Sequence, residues 1–212
     1  MTHYIDSLNW RYAVKKYDTT KKVSAEDLEY LKSAVRLSVS SVGLQPYKIF
    51  VIETQAVKEQ LAEAAGGNNK NIFVDASHLF IFANEVNVGN NHVDAYINHI
   101  SDQRGVAVEA VGGFGDYIKG FLGGLTDEQK NIWTAKQSYI ALSTLINTAA
   151  LLKIDATPME GFDAAKINEI LGLEEKGLNA AVVAAIGYRH EEDAVQHAKK
   201  VRKPNNELFI TL

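Results

Sequence analysis

Apolar residues recur at helical spacing most clearly between Trp133 and Leu152, where Trp133, Ile140, Ala141, Leu145, Thr148, Ala149 and Leu152 share a face. Leu142 and Ile146 extend that face, so the helix is apolar over most of its circumference. Such a helix belongs in the middle of a domain or between two subunits. Thr126 and Gln129 have the spacing of a capping box at its start. A short strand-like piece from Ile154 follows, then a turn containing Pro158 and Gly161. The Pro-Met-Glu-Gly turn suits either an ordinary helix-to-strand connection or the presentation of backbone amides and one carboxylate to a flat ligand.

Two continuous apolar runs, His78 to Ala83 and Ala180 to Ile186, read as buried strands, and Lys48 to Ile52 as a third strand. Ser24 is placed to cap a helix carrying Leu28, Leu31 and Val35 on one side, with Asp27 reaching back. Asp163 is placed to cap another over Ala164 to Leu171, and a short helix is expected from Val57 to Ala65. Tyr4 to Tyr17 reads as a short helix with an extended end from Val14. Ser38 to Pro46 breaks the helix before it and frees hydroxyls and backbone N–H groups. Gly66 to Asn71 is the most loop-like window of the chain. Glycines at 112, 113, 115, 120, 123 and 124 predict short or mobile helices across 90–124, as in a lid. Glu207 to Leu212 reads as a strand detached by Pro204-Asn-Asn206, and a lone apolar strand needs a sheet edge that a second subunit could supply. These elements predict one α+β domain spanning 1–212.

Composition narrows the classes. With 46% hydrophobic and 23% charged residues, the 212-residue chain is that of a globular protein with a substantial core. No apolar run has the length of a membrane span, and the polar N-terminus is unlike a signal peptide. The absence of cysteine excludes disulfides, thiolate metal sites and a Cys nucleophile, and accords with a cytoplasmic location. The net charge of −4 is unevenly distributed. Residues 1–22 carry a net +3 and residues 197–212 another +3, leaving −10 for the middle. Two basic ends on an acidic body do not make the broad positive face that nucleic acid requires. They suit a small anion such as phosphate if folding joins them, and otherwise are solvated lysines.

The chemistry-bearing motifs are mostly absent. No Gly-x-Gly-x-x-Gly opens a βαβ unit, and neither a P-loop nor a nucleophile elbow is present. The histidines show no metal spacing; His92, Asp94 and His99 read as a solvated face, and His78 as structural. What remains is dispersed: Arg11 with Lys15, Ser40 with Ser41, Asn69 with Asn71, the 158–161 turn, and Lys200 with Arg202. Each alone is equally a solvated pair, a cap or a turn.

Their order is more specific. Arg11-Tyr-Ala-Val-Lys15, Ser40-Ser-Val-Gly-Leu-Gln-Pro46, Asp75-Ala-Ser-His78, Trp133-Thr-Ala-Lys-Gln137, Pro158-Met-Glu-Gly-Phe-Asp163 and Lys200-Val-Arg-Lys-Pro204 together contain all three prolines. Taken in that order, the chain resembles the oxygen-insensitive nitroreductases of the FMN-dependent nitroreductase family, from about Leu8 to Leu212.

The resemblance implies an α+β fold with a central mixed or antiparallel sheet flanked by helices. It also implies an intertwined homodimer that exchanges the C-terminal strand and holds two FMN molecules at its interface. By position, Arg11, Lys200 and Arg202 would hold the FMN phosphate. Tyr12, Ala13 and Lys15 would flank the isoalloxazine, with Lys15 at the N1/O2 edge. Asn69 or Asn71 would bond its pyrimidine edge. Ser40, Ser41 and Gly43 would come from the other subunit. Pro158, Met159, Glu160 and Gly161 would cover one flavin face, with the Glu160 backbone N–H near N5. Lys15 and Glu160 are thus the expected catalytic residues, with no metal. Tyr12-Ala13 stands where the family often has His-Ser, and Tyr47 where a Trp is frequent; Tyr117 and Phe121 are candidates for the channel aromatic.

The activity implied is ping-pong hydride transfer from NADH or NADPH, through flavin N5, to a nitroaromatic or quinone. Alternatives are a dihydropteridine or enone reductase of the same family, or a flavin-binding module without turnover. The cofactor carries such chemistry while the protein orients it.

Overall fold

The structure is a computed structural model that describes residues 2–212. Its centre is a four-stranded sheet in the order β1-β2-β4-β3, with every pairing antiparallel. β1 spans Tyr47–Ile52, β2 His78–Glu85, β3 Asp155–Met159 and β4 Leu178–Gly187. Of the two sheet types the resemblance allowed, this chain forms the antiparallel one. β2 and β4 hold the middle because their side chains are apolar on both faces, as the unbroken runs predicted.

Alternation along β2 separates two cores. Leu79, Ile81 and Ala83 face a cluster built by α3 (Gln55–Ala62), α4 (Asn69–Asp75) and α8 (Ala164–Leu171), together with Val14 and Tyr17. Phe80 and Phe82 face α2 (Ala25–Arg36) and the long α7 (Asp127–Leu151). A third cluster, around Val93, Ile97 and Ile118, lies between α5 (Asn90–Arg104) and α6 (Val108–Gly123). Among the described residues no helix is long and apolar enough to cross a membrane.

The local signals behave as expected. Ser24 Oγ accepts from the Asp27 N–H at 3.0 Å, Thr126 and Gln129 exchange both capping-box bonds, and Asp163 caps α8. α7 begins one turn and a half before Trp133, because the cap rather than the first aromatic sets its start. It buries Ala141, Leu142, Leu145 and Ala149 against the sheet, while Ile132, Tyr139 and Ile140 are exposed on its other side.

Four expectations need correction. Residues 69–71 are the first turn of α4 instead of loop, since Ile72 and Phe73 behind them are buried and pull the asparagines into a helix. Pro158 lies within β3 and not in the turn; β3 is an edge strand, where a residue without an N–H leaves no ladder bond unmade. The 90–124 region forms two helices of 15 and 16 residues, their crossing made close by Gly115, where a Cβ would meet Ile97 Cγ1 at 2.9 Å. The tail is not a strand within this chain: α1 (Thr2–Trp10) opens the fold and α9 (Asn205–Leu208) closes it, followed by Phe209 to Leu212 in irregular, exposed backbone.

Candidate active site

The two basic ends meet. Beyond α1 the chain runs extended along the end of the sheet: the Asp18 N–H donates to Tyr188 O at 2.8 Å and the His190 N–H to Lys16 O at 2.9 Å. Thr157 Oγ1 donates to Val14 O at 2.9 Å, which lays this segment beside β3. Tyr17, fully buried, donates its hydroxyl to Ala185 O at 2.9 Å. The Asp193 carboxylate then clasps head to foot, accepting from the N–H groups of Lys15 (2.7 Å), Lys16 (3.1 Å) and Val195 (3.0 Å). Burial pushes the Asp193 carboxyl up, but those backbone bonds outweigh it and hold the group below its ordinary range.

Between the joined ends lies a cleft of about 330 Å³ lined by Arg11, Tyr12, Ala13, Lys199, Lys200 and Arg202 among others. Lys200 donates to the carbonyls of Leu8 and Arg11, capping α1 with a positive charge at its C-terminal end. An ammonium has three N–H donors, so one remains for a ligand. Arg11 Nε is buried and has no partner among the described residues. Burial, and then the neighbouring cations, lower the pKa of both Arg11 and Lys200. An anion in the cleft would relieve the repulsion and take up the orphaned donor. The donor set therefore fits a phosphate group, and hence the phosphate end of FMN.

A second cluster forms at the end of β3. Gly161 O accepts from the Gly66 N–H at 2.8 Å and from Asn69 Nδ2 at 3.1 Å. A Cβ on Gly161 would stand 2.9 Å from that Asn69 nitrogen, so the glycine permits the approach. The structure thus brings Asn69, and not Asn71, to the 158–161 segment; Asn71 is exposed on α4. Glu160 turns its side chain toward α7, where Tyr139 Oη donates to Oε1 at 2.6 Å. Pro158, Met159 and Glu160 line a groove of about 430 Å³ with Tyr139 and Ser143. Lys15 is exposed, and among the described residues it forms no ion pair.

The third group stays apart within one chain. Ser40, Ser41 and Gly43 lie on a loop docked against α7 and α5, through the Ser41 N–H to Gln137 Oε1 at 2.8 Å. They line no part of the basic cleft. The loop is strained: Val42 and Gln45 have φ of 52° and 47°, a region that a β-branched residue seldom adopts. Gly43 has φ 74°, which strains any other residue, and a Cβ there would displace Tyr96, whose Oη would lie 2.2 Å away.

Several residues that organise these clusters escaped the sequence reading: Asp155, Arg189, Asp193 and Tyr139. Asp155 interrupts an apolar run at the start of a strand, the one signal that pointed to a buried, partnered acid.

Residues 8–188 match the model of the Nitroreductase family. The major NAD(P)H-flavin oxidoreductase of Aliivibrio fischeri is 35% identical over 218 residues, covering 100% of both chains. A protein of Exiguobacterium sibiricum, solved in complex with FMN, superposes with a TM-score of 0.84 at 20% identity over 99% of this chain and 97% of that one. An enone reductase of gut-bacterial fatty acid saturation shares the fold at a TM-score of 0.83, with 18% identity over 99% and 97% of the two chains.

Proposed function

The chain belongs to the nitroreductase family, and from that premise we propose that it is an FMN-dependent NAD(P)H oxidoreductase acting on nitroaromatic or quinone acceptors by a ping-pong sequence. The observation that carries this reading is the basic junction, in which Arg11, Lys200 and Arg202 converge and the buried Arg11 Nε finds no acceptor among the described residues. When bound, FMN would supply the hydride-transfer chemistry between the nicotinamide and the acceptor.

This chain's residues bind and bias it. Arg11, Arg202 and the remaining donor of Lys200 hold the phosphate. The exposed ammonium of Lys15 places positive charge at the flavin edge, where reduction makes the ring anionic. Asn69 and the Pro158–Gly161 segment would orient the ring, the Glu160 backbone N–H would serve the flavin, and Tyr139 keeps the Glu160 carboxylate aside.

The reading includes a homodimer, in which Ser40, Ser41 and Gly43 serve the partner's flavin and the C-terminal segment crosses over. Its support is the exposed apolar surface: Ile132, Tyr139 and Ile140 on α7, and Leu208, Phe209, Ile210 and Leu212 in the tail. The enzyme would act in the cytoplasm, where its nicotinamide donor is held. An enone reductase activity is the second reading, favoured by the shared fold.

The test is spectroscopic. Purified protein should bind FMN stoichiometrically, and anaerobic NADH or NADPH should bleach its absorption, with a panel of nitroaromatic, quinone and enone acceptors restoring it. A protein that ignores FMN overturns the proposal; one that binds FMN but is not bleached is a binding module without turnover.

A further inference from the structure

We propose that Arg189 is the positioning residue that aims Arg11 at the flavin phosphate; the inference rests on the FMN reading above. Arg189 follows β4 and meets β3 through Asp155, which is only 2% exposed. The guanidinium forks onto that carboxylate, Nη2 to Oδ1 at 2.6 Å and Nε to Oδ2 at 3.0 Å, and the Arg189 backbone N–H adds a bond to Oδ2 at 2.8 Å. The buried carboxylate of β3 thus ties its guanidinium to the sheet.

Two rings close on it. The guanidinium carbon lies 4.2 Å from the centre of the Trp10 ring and 4.5 Å from that of Tyr12. Trp10 ends α1 and Tyr12 starts the extended segment, so the clasped rings flank Arg11 in the chain. Holding both neighbours against a guanidinium anchored to the sheet removes the backbone freedom that would let Arg11 swing. The anchor adds little field to the cleft, because its charge is matched by Asp155 at hydrogen-bond distance. Arg189 acts through geometry, and lysine, which neither forks nor stacks as a plane, would not replace it.

The arrangement also accounts for Tyr12, which stands where the resemblance leads one to expect a smaller polar ring. Its ring covers the guanidinium, and its buried hydroxyl lies beside the Asp193 carboxylate. Tyr12 thus serves the anchor with its side chain and leaves its backbone to the flavin edge.

The experiment is a fluorescence-quench titration of flavin-free protein with FMN and with riboflavin, which lacks the phosphate. It compares wild type, Arg11→Ala, Arg189→Met and the double variant. Arg189→Met should weaken FMN binding about tenfold or more while changing riboflavin binding less than about twofold. In the Arg11→Ala background it should add less than about twofold, because its effect passes through Arg11. Trp10→Ala, which leaves the buried ion pair intact, should repeat the FMN-selective loss, and it decides the matter if Arg189→Met fails to fold. Equal losses for FMN and riboflavin, multiplicative effects of the Arg11 and Arg189 substitutions, or unchanged FMN affinity in Trp10→Ala overturn the proposal. Wild-type protein that binds neither flavin overturns the FMN reading itself.

Discussion

The ammonium of Lys200 donates to the carbonyl of Leu8 at 2.6 Å, joining residues 192 positions apart at the mouth of the basic cleft. The bond makes the chain's second end a cap for its first helix. The basic cleft therefore forms only when both termini are in place.

Arg11 and Lys15, four residues apart, should separate binding from chemistry. Arg11→Ala removes charge-assisted hydrogen bonds to the phosphate and should weaken FMN retention about tenfold to a hundredfold. Lys15→Ala should leave retention within about threefold and slow anaerobic flavin reduction by NADPH about tenfold or more. Equilibrium titration and stopped-flow absorbance measure the two, and equal, negligible effects would sink the assignment.

Asn69 and Asn71 should differ. Asn69→Ala breaks the bond to Gly161 O, costing about 1 kcal/mol of stability, and should lower FMN affinity. Asn71→Ala, on the exposed side of α4, should change neither quantity. Urea unfolding with FMN titration checks both, and the reverse ranking would contradict the placement of Asn69 beside Gly161.

Lys58 carries a pH dependence unrelated to the flavin. Its side chain is fully buried, with Nζ 3.0 Å from Val74 O and 2.6 Å from Ala76 O at the C-terminal end of α4. Burial, then Lys22, lowers its pKa to about 8. The unfolded chain binds this proton more tightly, so the folded state is penalised below about pH 8 and relieved as pH rises toward the unfolded value. Stability should gain on the order of 3 kcal/mol at most across that window. Lys58→Met should be less stable overall, having left two carbonyls unpaired, and should lack this gain. Urea midpoints at several pH values between neutrality and the unfolded lysine range measure the difference in slope.

The exposed tail should matter for assembly. Deleting residues 204–212 removes Leu208, Phe209, Ile210 and Leu212, and the remaining chain should dimerise more weakly and retain less FMN. Sedimentation equilibrium and the flavin-to-protein absorbance ratio report both; an unchanged dimer would exclude an exchanged tail.

Local signals carried much of this fold. The period of α7, the caps at Ser24, Thr126 and Asp163, and the unbroken runs of β2 and β4 act over one to four residues, and their outcome is independent of the rest of the chain. The order of short motifs likewise points to the residues proposed for the site. Tertiary structure decided where they meet. The placing of Pro158 on an edge, the choice of Asn69 over Asn71, the burial of Asp155 under Arg189 and the meeting of the basic ends all depend on which strands pair and which helices cover them. Those contacts link residues far apart in sequence, and their free energy is gained only once the sheet has brought the segments together. No periodicity or cap within a segment encodes that.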